Sequence, residues 1–206
     1  MVRSRLQARR GSAHPHIVML AGPNGAGKST AAPALLQGQL GVMEFVNADT
    51  IARGLSAFSP EQATIEAGRI MLTRLRQLAS HKRNFAFETT LASRSFAPQI
   101  VKWKQVGYAF HLVFLWLPSA DFALARVSER VRLGGHDVPA ETVRRRYHRG
   151  IENFFALYQP LATTWRFYDN SSTRPRLLAR GGQARRIWVA DKALWTQIRE
   201  AEHAQR

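Results

Sequence analysis

The feature that most constrains this chain is the glycine-rich segment GPNGAGKST at residues 22–30, which follows the apolar run IVMLA at residues 17–21. The segment fits the pattern G-x-x-x-x-G-K-[ST], in which glycines let backbone N–H groups converge on phosphate oxygens and the lysine adds a positive charge. The apolar run predicts a buried strand, and the residues after the loop predict a helix, whose N-terminus favours anions. Strand, loop and helix in this order predict a site for a nucleoside triphosphate.

The loop residues themselves are the expected ligands of the nucleotide. Lys28 would lie near the β- and γ-phosphates, and the Ser29 hydroxyl would ligate Mg²⁺. ATP and Mg²⁺ are therefore the expected cofactors. The expected nucleotide contacts come from Gly22, Pro23, Asn24, Gly25, Ala26, Gly27, Lys28, Ser29 and Thr30.

The length of 206 residues suits one domain, and the absence of cysteine excludes disulfides and cysteine–zinc sites. Residues 1–14 are basic and are interpreted as a disordered tail, which leaves residues 15–206 as a single P-loop kinase domain. The longest apolar run, YAFHLVFLWL at residues 108–117, is too short to span a bilayer. We therefore expect a cytoplasmic protein with no membrane partner.

Apolar runs alternate with helical patterns along the chain, which predicts an α/β fold: a P-loop NTPase or kinase with a mostly parallel sheet flanked by helices. Five or six strands are predicted, near residues 17–21, 44–47, 84–88, 108–117, 164–169 and 186–190. A capping box that begins at Ser59 predicts a helix to about residue 79, with Ile65, Leu72 and Leu75 on its apolar face.

Two predicted strand ends carry carboxylates. The segment EFVNAD ends in Asp49, and FAFETT ends in Glu88, Thr89 and Thr90. Ligands bind at the carboxyl ends of strands in such sheets, and a kinase needs a group that accepts the proton of the attacking hydroxyl. Asp49 is the candidate base, with the alternative that it caps a helix beginning near Thr50. Glu88 would orient the acceptor or help to hold Mg²⁺, or is an ordinary polar residue at a strand end.

The segment from about residue 120 to about residue 150 predicts an arginine-rich helical lid with a hinge at Gly134 and Gly135. Arginines that close on a transferred phosphoryl group stabilise its transition state. Arg130 and Arg132 are the candidate catalytic arginines, together with Lys28; the alternative for each arginine is a solvated helix face. The arginines on the two sides of the hinge are Arg126, Arg130, Arg132, Arg144, Arg145 and Arg146.

The net charge is +16, which is compatible with affinity for polyanions and equally with arginine bias on a solvated surface. We do not expect a nucleic-acid partner, because the arginines cluster beside the predicted site and no series of stacking aromatic residues accompanies them. The guanine-reading pattern N-K-x-D and the transport-ATPase signature L-S-G-G-Q are both absent. The pattern that is left is that of a small-molecule kinase.

Taken together, these segments resemble the zeta-toxin family of P-loop kinases, and in particular its short, single-domain bacterial members. The resemblance covers residues 17 to about 170 and implies an ATP-dependent kinase that phosphorylates the 3′-hydroxyl of the amino sugar in UDP-N-acetylglucosamine. The segments that carry it are GPNGAGKST, NAD at residues 47–49, FETTL at 87–91, GGHDVPAETVRRRYHRG at 134–150 and YDNS at 168–171.

Carried over to this chain, the resemblance implies that Lys28 and Ser29 bind ATP and Mg²⁺ and that Asp49 is the catalytic base. It also implies that the strand end with Glu88, Thr89 and Thr90 contacts the substrate and that lid arginines clamp the phosphates. An antitoxin protein is a further implied partner. The alternatives are a kinase for an antibiotic, a nucleoside or a cofactor, and, in another class, a nucleic-acid-binding protein regulated by ATP.

Overall fold

A computed structural model describes residues 14–39, 42–57, 62–135 and 137–203. Within these residues, seven strands form one sheet in the order β2-β3-β1-β4-β5-β6-β7. The first five of these pair in parallel, and β6 and β7 add to the sheet antiparallel. The strands are β1 (His16–Ala21), β2 (Phe45–Val46), β3 (Phe85–Thr89), β4 (Ala109–Trp116), β5 (Thr164–Asp169), β6 (Arg176–Gly182) and β7 (Arg185–Val189).

Helices connect the parallel strands and cover the sheet. The first continues into a π-helical segment at Pro33–Gln39, and the sixth into another at Phe154–Tyr158. None of the described helices is long and apolar enough to cross a membrane. The helices are α1 (Lys28–Ala32), α2 (Ala48–Leu55), α3 (Thr64–Ser80), α4 (Phe96–Gln105), α5 (Ala120–Arg132), α6 (Ala140–Asn153), α7 (Gln159–Leu161) and α8 (Lys192–His203).

The predicted fold class is confirmed, but the predicted number of strands is wrong. The six predicted strands are present within about two residues of their expected bounds, and β6 is the additional one. Its sequence, RLLARGG, has neither regular alternation nor a continuous apolar run, so local pattern gives no strand signal there. It is a strand because β5 and β7 pair with it on either side.

The core lies on both faces of the central strands. Phe114 on β4 and Phe167 on β5 stack with ring centroids 5.1 Å apart, and Phe154 packs edge-on against Phe167 at 5.0 Å. Trp195 on α8 stacks on Trp165 of β5 at 5.8 Å, which fixes the last helix to the sheet. These aromatic contacts hold the parallel strands in place, so the strand ends that carry polar residues have a rigid support.

The predicted apolar face of α3 is right for Leu75, which is buried, and for Leu72, which is half-buried, but it is wrong for Ile65. Ile65 is 72% exposed, whereas Ala67, Met71, Leu75 and Leu78 are buried. These four recur at helical spacing, and Ile65 lies two residues from Ala67, which places it on a different side of the helix. Ser59 and the predicted capping box before this helix, like residues 1–13 of the predicted tail, lie outside the described residues.

The two helices of the predicted lid pack into the core for most of their length. Ala123 and Val127 on α5 and Val143 on α6 are buried. The Tyr147 hydroxyl donates to the Leu117 carbonyl oxygen at 2.8 Å, and burial raises the pKa of Tyr147 to about 12. Since these helices belong to the body of the fold, closure of a lid is a prediction only for the loop between them.

Candidate active site

The phosphate-binding loop connects β1 to α1, and its backbone requires glycine. Gly25 has a φ of +77°, and a Cβ there would lie 2.7 Å from the Ala123 carbonyl oxygen. Gly27 caps α1 in the left-handed conformation, with a φ of +74°. Gly22, the first fixed glycine of the pattern, has a φ of +145°, and a Cβ there would lie 2.3 Å from the Leu115 carbonyl oxygen. Such backbone is costly for residues with a Cβ, so the local geometry explains glycine at these three positions.

Lys28, the first residue of α1, is buried beneath this loop. Its Nζ donates to the carbonyl oxygens of Gly22 at 2.8 Å and Pro23 at 2.9 Å, and lies 3.7 Å from Oε1 of Glu88. Burial lowers the pKa of Lys28, and the carboxylates of Glu88 and Asp49 oppose that shift by stabilising the charged amine. The lysine therefore has oxygen neighbours on the loop itself and on the adjacent strand.

Glu88 lies near the end of β3, beside the loop, because β3 pairs directly with β1. Its Oε2 accepts a hydrogen bond from Ser29 Oγ at 2.8 Å and from Asn47 Nδ2 at 2.7 Å. Mg²⁺ in nucleotide sites takes oxygen ligands such as a serine hydroxyl and a carboxylate, and here these two groups lie within hydrogen-bond distance of each other. The chemistry of Ser29 and Glu88 therefore fits the expected ion.

Asn47, which the sequence analysis did not select, caps α2. Its side-chain oxygen accepts from the backbone N–H groups of Asp49 at 2.8 Å and Thr50 at 3.2 Å. The alternative that Asp49 is the cap is therefore wrong, and the preference of asparagine for N-cap positions was the available signal. Asp49 lies in the first turn of the helix with its side chain exposed to the cavity described next.

A cavity of about 1230 Å³ opens over the loop and brings most of the predicted residues together. Single-ligand pockets are typically 300–1,000 Å³, so this volume can hold a nucleotide and a second molecule. Gly22, Pro23 and Ala26 are buried within the loop instead of lining it. The predicted residues that line the cavity are Asn24, Gly25, Gly27, Lys28, Ser29, Thr30, Asp49, Glu88, Thr89, Thr90 and Arg130.

The arginines of α5 and α6 divide into two groups. Arg132 is exposed and pairs with Glu129 at 3.3 Å, and it does not line the cavity. Arg126, Arg130 and Arg146 do line it. Arg126 is held in place by bonds to the carbonyl oxygens of residues 170 and 171, at 2.7 and 3.1 Å.

Arg146 is the arginine that the sequence could not separate from its neighbours. Its side chain is half-buried; burial lowers the pKa of Arg146, and the Asp49 carboxylate opposes that shift. Val143 and Tyr147 mark the buried face of α6, and Arg146 lies beside that face. The separation of Arg146 from its neighbours therefore depends on which face of α6 is buried, and the sequence alone does not fix that face.

Asn170, the first residue after β5, was also missed. Its side chain is buried, and Nδ2 donates to the carbonyl oxygen of Ala26 in the loop at 2.7 Å. Its backbone N–H donates to the Trp116 carbonyl oxygen at 2.9 Å. Asn170 thus joins the ends of β4 and β5 to the phosphate loop, which accounts for the polar residues that follow a buried strand in YDNS.

Comparison with known proteins adds the following. A family model described as an AAA domain matches residues 17–152. An uncharacterized protein of Haemophilus influenzae is 29% identical over 147 residues, which are 71% of this chain and the whole of that protein.

Among solved structures, a chain of the AvrRxo1-ORF1:ORF2 complex with ATP superposes with a TM-score of 0.72 and 17% identity, over 90% of this chain. The chain spans 63% of the length of that protein. The PezAT toxin–antitoxin system of Streptococcus pneumoniae gives a TM-score of 0.61 and 13% identity, over 98% of this chain and 90% of its own. Together with the family match, these likenesses show an α/β P-loop fold that the chain shares with those two proteins.

Proposed function

The chain belongs to the AAA-domain family, and on that basis and the geometry of the cavity we propose that it is an ATP-dependent small-molecule kinase of the zeta-toxin type. The proposed acceptor is a hydroxyl group of a UDP-activated sugar such as UDP-N-acetylglucosamine. The observation that carries the proposal is the convergence of Lys28, Ser29 and Glu88 around the phosphate loop, with Asp49 in the same cavity.

The phosphate end of the site is built by the loop and the strand beside it. Backbone N–H groups of residues 24–29 and the Lys28 amine bind the triphosphate. Asn170 stabilises the conformation of the loop through its hydrogen bond to the Ala26 carbonyl oxygen. Ser29 and Glu88 would hold Mg²⁺, which when bound neutralises charge on the β- and γ-phosphates. The fold thus positions the loop N–H groups, Lys28, Ser29 and Glu88 in advance of substrate binding.

At the acceptor end, Asp49 accepts the proton of the attacking hydroxyl. The acceptor oxygen forms a bond to the γ-phosphorus, the bond to the bridging oxygen breaks, and ADP leaves with that electron pair. Arg130 and Arg146 stabilise the charge of the transferred group from the cavity wall. Arg132 would reach the phosphates after its exposed pair with Glu129 opens, which costs about 0–1 kcal/mol.

Partners follow from the same proposal. The PezAT structure is that of a toxin–antitoxin system, and its fold covers nearly all of this chain. We extend the proposal to an antitoxin protein as the partner that restrains the activity.

Thr89 and Thr90, which line the cavity next to Glu88, are the proposed substrate contacts.

A screen of acceptors tests the proposal. ATP consumption is measured with UDP-sugars, nucleosides, antibiotics and cofactors, and phosphorylated products are identified by mass spectrometry. We expect a phosphorylated UDP-sugar, and a loss of at least about 10²-fold in turnover for Lys28→Met, a variant that keeps the side-chain volume but removes the charge.

The outcomes of the screen separate the activity from the substrate. Phosphorylation of a nucleoside or an antibiotic alone would retain the kinase and replace the acceptor class. ATP-dependent phosphorylation of none of these compounds, by a protein that circular dichroism shows to be folded, would reject the proposed function.

A further inference from the structure

Gly68 lies in the interior of α3, a 17-residue helix, where glycine lowers the stability of the helix. An interior glycine weakens a helix by about 0.8–1.0 kcal/mol relative to alanine. The usual backbone reason for glycine is absent, because the φ of Gly68 is not in the left-handed region. Another reason is therefore needed for a residue without a side chain at this position.

Helix packing does not supply that reason. The small residues that bring α3 close to α2 are Ala63 and Ala67, which are buried together with Ala52. In the described part of the chain, a Cβ built on Gly68 would meet no heavy atom within 4 Å. Alanine would thus fit at position 68, and it would strengthen the helix.

The open space beside Gly68 belongs to the active-site cavity. Thr64, Gly68, Met71 and Leu72 line that cavity, and their spacing places them along one face of α3. Strand order puts this face at the acceptor end: α3 packs against α2, which carries Asp49, whereas β4 and β5 lie on the other side of β1. A ligand that approaches α3 here therefore lies on the same side of the loop as the proposed base.

We propose that Gly68 is a specificity-determining residue, at which the ring of the acceptor lies directly against the backbone of α3. Met71 and Leu72 contact an apolar face of that ring, as does Phe96, which lines the same cavity. The class of acceptor that fits is a ring compound with one apolar face and a hydroxyl that reaches Asp49, as a pyranose does. This inference rests on the proposed function and adds the feature that limits acceptor size.

The test compares Gly68→Ala with Gly54→Ala. Gly54 is also helical, in α2; a Cβ there meets no described atom within 4 Å, and Gly54 does not line the cavity. Gly68→Ala should therefore raise Tm by up to about 2–4 °C, and Gly54→Ala, next to the last residue of α2, should raise it by less. Only Gly68→Ala should lower kcat/KM for UDP-N-acetylglucosamine, by about 10- to 200-fold, the range for one methylene in a tight pocket.

Two further measurements identify the cause. The KM for ATP should be unchanged in Gly68→Ala, because the added methyl group lies at the acceptor end of the cavity. Gly68→Ser and Gly68→Val should extend the loss in order of side-chain volume. A raised Tm combined with reduced use of the acceptor is a result that a purely structural role for Gly68 would not produce.

The outcomes distinguish this inference from the function beneath it. If the wild-type protein phosphorylates UDP-N-acetylglucosamine and Gly68→Ala has the same kcat/KM as Gly54→Ala, the inference is wrong and the proposed function stands. If the wild-type protein phosphorylates no acceptor in the screen, the proposed function is wrong, and the inference is rejected with it.

Discussion

Replacing Glu88 by glutamine would remove one charge from the cluster around the phosphate loop and keep the shape of the side chain. The amide oxygen of glutamine can still accept hydrogen bonds from Ser29 and Asn47, which now lie 2.8 and 2.7 Å from Oε2. The Lys28 amine keeps its two carbonyl acceptors in the loop. What is lost is the attraction between Lys28 and the carboxylate, so the change in stability measures that pair.

The distance and burial of the pair set the expected magnitude. Lys28 Nζ and Glu88 Oε1 are 3.7 Å apart, and the two side chains are only 7% and 11% exposed. Coulomb's law with an effective dielectric constant of 20 gives about 4–5 kcal/mol at that distance. Removing one partner of a buried pair costs about 3–5 kcal/mol, and the carbonyl contacts of Lys28 reduce this. We expect Glu88→Gln to lower the free energy of unfolding by about 2–4 kcal/mol.

Glu44→Gln is the matched control. Glu44 has two partners: its Oε2 lies 3.1 Å from Arg74 Nη2, and its Oε1 lies 3.9 Å from Arg83 Nη2. The side chains of Glu44, Arg74 and Arg83 are 35%, 48% and 62% exposed. Exposed pairs contribute about 0–1 kcal/mol, so burial and not distance should decide the difference between the two variants. Urea denaturation at pH 7.5 measures both.

A double-mutant cycle isolates the Lys28–Glu88 interaction. Glu88→Gln combined with Lys28→Met should be less destabilised than the sum of the single variants, by about 1–3 kcal/mol. A coupling energy near zero, or a Glu88→Gln variant no less stable than Glu44→Gln, would refute the assignment of Glu88 as the counter-charge of the loop lysine.

Two further predictions concern proton transfer and pH. Asp49→Asn should lower kcat by about 10²–10⁴-fold, because the amide cannot accept the proton. The free energy of unfolding should change by less than about 1 kcal/mol, because Asn47 and not Asp49 caps α2. Steady-state kinetics with near-normal kcat would exclude Asp49 as the base. Burial, together with the nearby charges of His16 and two arginines, lowers the pKa of His111 to about 4. Between about pH 6.5 and pH 4, the unfolded chain therefore binds a proton that the folded chain does not. Stability should fall as pH falls through that window, by about 2 kcal/mol after a discount for partial exposure, and urea denaturation of His111→Asn should show a smaller dependence.

The parts of the fold that could be predicted from the sequence are those with a strong local signal. Strands β1 and β4 are almost entirely apolar, apart from His16 and His111, because helices cover both faces of a parallel sheet. The phosphate loop carries its own backbone requirement in Gly25 and Gly27. Strand β6 has no such signal, since its pairing with β5 and β7 decides its conformation.

The residues of the site that the sequence could not identify act over long separations. Asn170 contacts Ala26 across 144 residues, and Asn47 contacts Glu88 across 41. Neither contact has a spacing rule, because each depends on which strands are neighbours in the sheet. Arg146 could be separated from the adjacent arginines only once the buried face of α6 was fixed.

The contacts of Lys28 bear on how the site works. Two loop carbonyls and Glu88 hold the Lys28 amine beside the phosphate loop. Groups ordered in advance lose little entropy when a ligand arrives. Under the proposed function, Glu88 serves a cation in both states, balancing Lys28 before nucleotide binds and holding Mg²⁺ with Ser29 afterwards. The Glu88 carboxylate thus stabilises the charged form of the buried Lys28 and also positions Ser29 for the metal ion.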